Sequence, residues 1–175
     1  MTSKFIRSAI LFAIVMSGLP ASAGEVQCKG SEKNLARYLG MFDEVFNGRK
    51  LDRIEEYIAA DFIPHDSAPG TPHGPEAIRL LVVNMAKSFP KRHLTNELII
   101  CSGDMVVAYQ TVEGTNDGPL FGGMPPTGKS FNFKWVDIYR FKNGKVAERW
   151  GAGDALGMMT QMGFKLTPPE ASAKP

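Results

Sequence analysis

Asp137 is the single carboxylate in the run Phe131, Phe133, Trp135, Asp137, Tyr139 and Phe141. Successive side chains of an extended chain point to opposite faces, so these six share one face, and Asn132, Lys134, Val136, Ile138 and Arg140 share the other. A carboxylate set among rings loses water; desolvation favours its neutral form and suits it to proton transfer. Asp137 is thus a candidate acid–base residue in a hollow. Two structural readings stand beside it: a β-bulge that turns Asp137 outward, and a buried pair with an arginine such as Arg149.

Two further groups could share the work. Asp154 follows a strand whose even positions are Val146, Glu148, Trp150 and Ala152, so a straight strand puts it on the Trp150 face. The alternative is an ordinary helix N-cap, worth about 1 kcal/mol. His65 stands behind Pro64 and can take or give a proton near neutral pH; its alternative is a loop histidine held by Asp66. His73 and His93 read as surface residues, and the histidine spacing is not that of a zinc site. Phe133, Trp135, Trp150, Tyr109 and Tyr139 are the candidate walls of a substrate pocket, or simply core.

These residues need elements to position them. Ser31 is a candidate cap for a helix carrying Leu35, Leu39, Phe42 and Phe46 at three-and-four spacing, ended by Asn47-Gly48. A second short helix has Leu51, Ile54 and Ile58 on one side. A turn-rich connector, DFIPHDSAPGTPHG, leads to a third helix that begins at Pro75 and stops at Pro90. Four strands follow, Leu94 to Cys101, Met105 to Thr115, Ser130 to Phe141 and Lys145 to Ala152, with a hairpin signal at Asn143-Gly144. NDGPLFGGMPPTGK joins the middle strands and is a candidate lid. A last helix spans Ala155 to Met162. Helices followed by a meander predict an α+β domain whose curved, mostly antiparallel sheet packs on about three helices, with a pocket inside the cone.

Residues 1–23 read as an export signal: Lys4 and Arg7, an apolar stretch too short to span a bilayer, then Ala21-Ser22-Ala23. The chain of 175 residues holds 20 basic and 18 acidic side chains. Without Lys4 and Arg7 the remainder holds 18 of each, which argues against nucleic acid or an anionic membrane as partner. Residues 24–31 read as a linker, 32–164 as the domain and 165–175 as a mobile tail. Cys28 and Cys101 are compatible with one disulfide in an exported protein, or with a free buried thiol at Cys101.

The stretch GTNDGPLFGGMPPTGKSFNFKWVDIYRFKNGKVAERWGAGDALGMMTQMG resembles the SnoaL-like polyketide cyclase and ester cyclase group of the nuclear transport factor 2-like superfamily. Asp137 with Arg140, Gly144-Lys145-Val146, Glu148, Trp150, Asp154 and Gln161-Met162-Gly163 carry the likeness, together with FDEVFNGRKLDRIEEYIAADFIPHD upstream. It spans about Asn34 to Gly163. The resemblance implies a conical fold with an inner pocket, cofactor-free acid–base chemistry by carboxylate and histidine, a pocket acid at Asp154, a functional His65 and a homodimer formed through the sheet face. Many relatives read Gly-Thr-His where this chain has Gly114-Thr115-Asn116.

The sequence therefore points to an exported, cofactor-independent enzyme of cyclase, isomerase or hydrolase type acting on a small, mostly apolar molecule. A non-catalytic ligand-binding protein and a homodimeric interaction module are the alternatives on the same scaffold.

Overall fold

The computed structural model describes residues 23–120, 123–165 and 167. The expected export signal, up to residue 22, and the tail residues 166 and 168–175 lie outside the described residues.

In chain order the elements are strand β1 (Ala23–Gln27), helix α1 (Glu32–Met41) running into a π-helical turn Phe42–Asn47, then a 3-10 turn Leu51–Arg53 and the short helix α2 (Ile54–Tyr57). Strand β2 (Ile58–Pro64), helix α3 (Pro75–Ser88) and the strands β3 (His93–Ser102), β4 (Met105–Thr115), β5 (Ser130–Lys142) and β6 (Lys145–Gly153) follow, and helix α4 (Ala155–Gln161) is last among the described residues. The strands form one six-stranded sheet in the order β1-β3-β4-β5-β6-β2. β3 to β6 are an antiparallel meander, and β1 and β2 add as parallel edges. Asn143 and Gly144, with φ of 53° and 76°, make the tight turn between β5 and β6, which is the backbone that two-residue hairpins favour.

The sheet is open, and its helices cover one face. Tyr38, Met41, Phe42 and Val45 meet Ile99, Val106, Ala108 and Val146 in a continuous core. Each large apolar side chain buried there contributes about 1.5–3 kcal/mol.

Three expectations change. β1 takes up the last residue of the expected signal, Ala23, and the first half of the segment read as a linker, paired in parallel with β3 from Ala23↔Asn96 to Gln27↔Ile100. Gly24 permits that approach, since a Cβ there would lie 2.1 Å from the Glu97 carbonyl oxygen. β2 occupies the end of the expected second helix and the start of the connector. Neither AGEVQ nor IAADFIP alternates cleanly, so their extended form is decided by the strand beside them. Ser31 makes no side-chain cap; its hydroxyl donates to the Gly103 carbonyl at 3.1 Å and ties the start of α1 to the β3–β4 turn.

Cys28 and Cys101 form a disulfide with Cα atoms 4.5 Å apart, fastening the chain after β1 to the end of β3. Among the described residues no helix is long and apolar enough to cross a membrane.

A bulge in β6 sets the phase of the site. Arg140 pairs with Glu148, but the next β5 residue, Phe141, pairs with Val146. The extra β6 residue inverts the alternation. Val146 points to the helices, and beyond the bulge Arg149, Gly151 and Gly153 do so, opposite Tyr139, Asp137 and Trp135.

Candidate active site

Between α3 and the inner face of the sheet lies a cavity of about 690 Å³. Ile78, Leu81 and Met85 of α3 form one wall, and Phe131, Phe133 and Trp135 of β5 form the other. Asp137 and Arg149 lie among the lining residues, and the loop from Pro64 to Pro72 lines it as well. The long connection after β4 does not take the lid's place: none of its described residues lines the cavity. Asn116 instead fixes that connection. Its amide nitrogen donates to the Ser88 and Gly118 carbonyls, and its oxygen accepts from the Thr127 N–H at 2.8 Å.

Asp137 points inward, as the alternation on β5 requires, and is 4% exposed. Its Oδ1 accepts from Trp135 Nε1 at 2.9 Å and from Arg149 Nε at 2.9 Å, with Arg149 Nη2 at 2.8 Å. Its Oδ2 accepts from the Tyr139 hydroxyl at 3.0 Å and from Gln110 Nε2 at 3.3 Å. The carboxylate is held from both sides, and its position is fixed by the strands that carry its donors. The Arg149 pairing is the structural reading of Asp137; the cavity position is the functional one, and both occur in the same residue.

Arg149 joins a second acid to the first. Its Nη1 donates to Asp66 Oδ2 at 2.9 Å. Burial works against the charge on Arg149, but the Asp137 and Asp66 carboxylates outweigh it and hold the guanidinium above its ordinary value. Asp66 arrives because β2 runs beside β6: Pro64 pairs with Arg149, and the His65 N–H donates to the Arg149 carbonyl at 2.8 Å. The inward positions opposite Asp137 and Trp135 are Gly151 and Gly153. A Cβ at Gly151 would lie 2.7 Å from Asp66 Oδ2 and 2.9 Å from Trp135 Cζ2, and one at Gly153 would lie 2.3 Å from Trp135 Cε3. The two glycines make the hollow in which the indole ring and the Asp66–Arg149 pair fit. Sequence reasoning named neither Asp66 nor Arg149 as a pocket residue. The parallel pairing of β2 with β6 and the bulge in β6 are long-range features without a local signature.

Behind Asp137 lies a buried polar layer. The Tyr38 hydroxyl donates to Asn96 Oδ1 at 2.7 Å and accepts from Gln110 Nε2 at 3.1 Å. Asn96 Nδ2 and Gln110 Oε1 have no partner among the described residues. Burial, and then the charge of Asp137, push the Tyr38 and Tyr139 hydroxyls well above the ordinary tyrosine value.

Of the residues the sequence singled out, Asp137, Phe133 and Trp135 line the cavity. Tyr139 supports Asp137 from behind, 1% exposed and outside the lining. Trp150 and Tyr109 are corrections. The β6 bulge sends Trp150 to the outer sheet face, and Tyr109, paired with Val136, points outward too. His65 is also on the outside: its ring stacks on Trp150 with centroids 4.5 Å apart, and Nε2 lies 2.8 Å from Glu148 Oε2. Asp154 is the cap of α4, accepting from the Gly157 N–H at 2.7 Å, and does not line the cavity. The three proposed acid–base groups therefore do not converge; the cavity brings together Asp137, Arg149 and Asp66. Among the described residues no group of three or more His, Cys, Asp or Glu side chains is placed to hold a metal ion.

The family model of the SnoaL-like polyketide cyclases matches residues 36–162. The nogalonic acid methyl ester cyclase of Streptomyces nogalater is 32% identical over 120 residues, covering 67% of this chain and 89% of the relative. Among solved structures, IdmH of Streptomyces antibioticus is 29% identical with a TM-score of 0.64, over 75% of this chain and 99% of that one. TsrD of Streptomyces laurentii, at 24% identity, shares the fold with a TM-score of 0.67 over 74% of this chain and 95% of its own.

Proposed function

The chain belongs to the SnoaL-like polyketide cyclase family, and from that premise we propose that it is a cyclase-type acid–base enzyme acting on a small, mostly apolar molecule, with Asp137 as its base. The observation that carries this reading is an aspartate on an aromatic-walled cavity, fixed by a guanidinium and three neutral donors. A base held in one geometry loses little entropy when it meets its substrate.

In the proposed reaction Asp137 removes a proton from a carbon next to a carbonyl. The enolate attacks a second carbonyl carbon of the same molecule. The new C–C bond leaves an alkoxide, which takes the proton back from Asp137. Protons and electrons balance within the substrate. Arg149 keeps Asp137 in place through both states, and Asp66 balances the remaining charge of the guanidinium. General acid–base help of this kind contributes about a hundred- to ten-thousand-fold.

The second reading is a binding protein without turnover. Its support is that four side chains already donate to the two Asp137 oxygens, which leaves little acceptor capacity for a substrate proton. The experiment that separates the two uses nogalonic acid methyl ester, the compound in the relative's name, its free acid and aryl diketones in deuterated water. The enzyme reading expects wild-type protein to exchange or cyclise at least one of them, and Asp137→Asn to keep binding while turnover falls at least a hundredfold. A wild-type protein that binds them and changes none sinks the enzyme reading in favour of the second.

Export to an oxidising compartment is part of the proposal, supported by the composition of residues 1–23 and by the Cys28–Cys101 disulfide. A homodimer through the outer sheet face is proposed as well: Ile100 and Tyr109 are exposed there, on the same face as Val107, Ile138 and Trp150.

A further inference from the structure

Arg92 lines the same cavity as Asp137 and has a different electrostatic situation from Arg149. It stands one residue before β3, its N–H donating to the Phe89 carbonyl at 3.0 Å, and lines the cavity together with Leu94, Val112 and Phe131. Its Nη2 donates to the Phe46 carbonyl at 3.1 Å, and among the described residues its guanidinium makes no other hydrogen bond and no ion pair. Arg149, by contrast, is shared between two carboxylates. Burial opposes the charge on Arg92, and the guanidinium of Arg49, which donates to the Pro90 carbonyl, and that of Arg149 oppose it further; together they outweigh Asp137 and push Arg92 down to about 10. An arginine offers five donors in a flat fork that matches a carboxylate. Among the described lining residues it is the half-buried guanidinium that no carboxylate touches.

The position is set by the fold. The backbone of Arg92 packs against Gly114, where a Cβ would lie 3.1 Å from the Arg92 Cα. Gly114 pairs with Phe131, whereas Ala108 pairs with Asp137. The stretch of β4 from Ala108 to Gly114 covers about 20 Å, so the two residues are rooted at opposite ends of the cavity. Among the described lining residues the Asp137 end carries two carboxylates and one guanidinium, and the Arg92 end carries one guanidinium and no carboxylate.

We propose that Arg92 anchors a carboxylate of the bound molecule, so that the substrate is an apolar acid lying lengthwise with its anionic group at Arg92 and its reacting carbon at Asp137. The inference rests on the small-molecule reading of the cavity but not on turnover. Arg92 is thus a specificity residue: it selects the acid over its ester and fixes which end of the substrate meets the base.

The test is calorimetric titration of naphthalene carboxylate and of its methyl ester into wild-type protein, Arg92→Gln and Arg92→Lys, each first checked for wild-type circular dichroism. The expected result is that wild type binds the acid at least about tenfold more tightly than the ester, as a charge-assisted hydrogen bond implies. Arg92→Gln should remove that preference and leave ester affinity within about twofold, and Arg92→Lys should restore part of it. Equal affinity for acid and ester in wild type, or an acid preference that survives in Arg92→Gln, overturns the proposal while leaving the enzyme reading intact. Binding of neither probe overturns it together with the small-molecule reading.

Discussion

Asp137 and Arg149 meet diagonally across the β5–β6 ladder, over the hollow left by Gly151, with Oδ1 2.8 Å from Nη2 and 2.9 Å from Nε. One residue of slip in β6 would put Arg149 outside and Trp150 inside. Because Arg149 also holds Asp66, its removal leaves two buried or half-buried carboxylates facing each other without a cation. Arg149→Met should lose about 3–5 kcal/mol in urea unfolding. Asp137→Asn combined with Arg149→Met should lose less than the sum of the two single changes, because the second change removes a charge the first has stranded. Additive losses would show that the pair is not coupled.

Gly151 should tolerate no side chain. Gly151→Ala places a methyl group within 2.7 Å of Asp66 Oδ2 and 2.9 Å of Trp135, so the Asp66–Arg149 bond or the indole ring must move. The expected cost is about 1–3 kcal/mol, with a shift in tryptophan emission from Trp135. Unchanged stability and emission would show that the hollow is looser than its contacts imply.

The disulfide should carry much of the stability. Cys28 and Cys101 are 73 residues apart, and opening a loop of that length releases about 4 kcal/mol of chain entropy in the unfolded state. Wild-type protein treated with reductant, and a Cys28→Ser, Cys101→Ser double variant, should show equal drops in urea midpoint. A double variant as stable as oxidised wild type would show that the bridge constrains little.

Stability should fall in alkali. Tyr38 and Tyr139 have folded-state values above that of a free tyrosine, about 10. Their contribution is fully present below about pH 10, where both states keep the proton. Above it the unfolded chain releases protons that the folded chain retains, so stability declines as pH rises. The urea midpoint should drop between about pH 8 and about pH 11, and Tyr139→Phe should reduce the size of that drop. A midpoint that rises over this interval contradicts the sign.

Much of this protein was legible from its residues alone. The alternation from Phe131 to Phe141 placed Asp137 on the aromatic face, and Asn143-Gly144 marked the hairpin, because both signals are local: period two and a left-handed turn are written in neighbouring residues. The third helix was legible for the same reason, since Pro75 and the three-and-four spacing after it lie within one element. What surrounds Asp137 was not local. An extra residue in β6 reverses which of Arg149 and Trp150 points inward, and a strand more than seventy positions before Asp137 has to pair in parallel with β6 before Asp66 can reach Arg149. The residues alone determined the acid and its aromatic wall and offered Arg149 as one possible partner; the folded sheet decided that Arg149, and Asp66 behind it, reach the acid, because strand pairing joins residues that no short stretch of chain holds together, and a single bulge changes the face of everything beyond it.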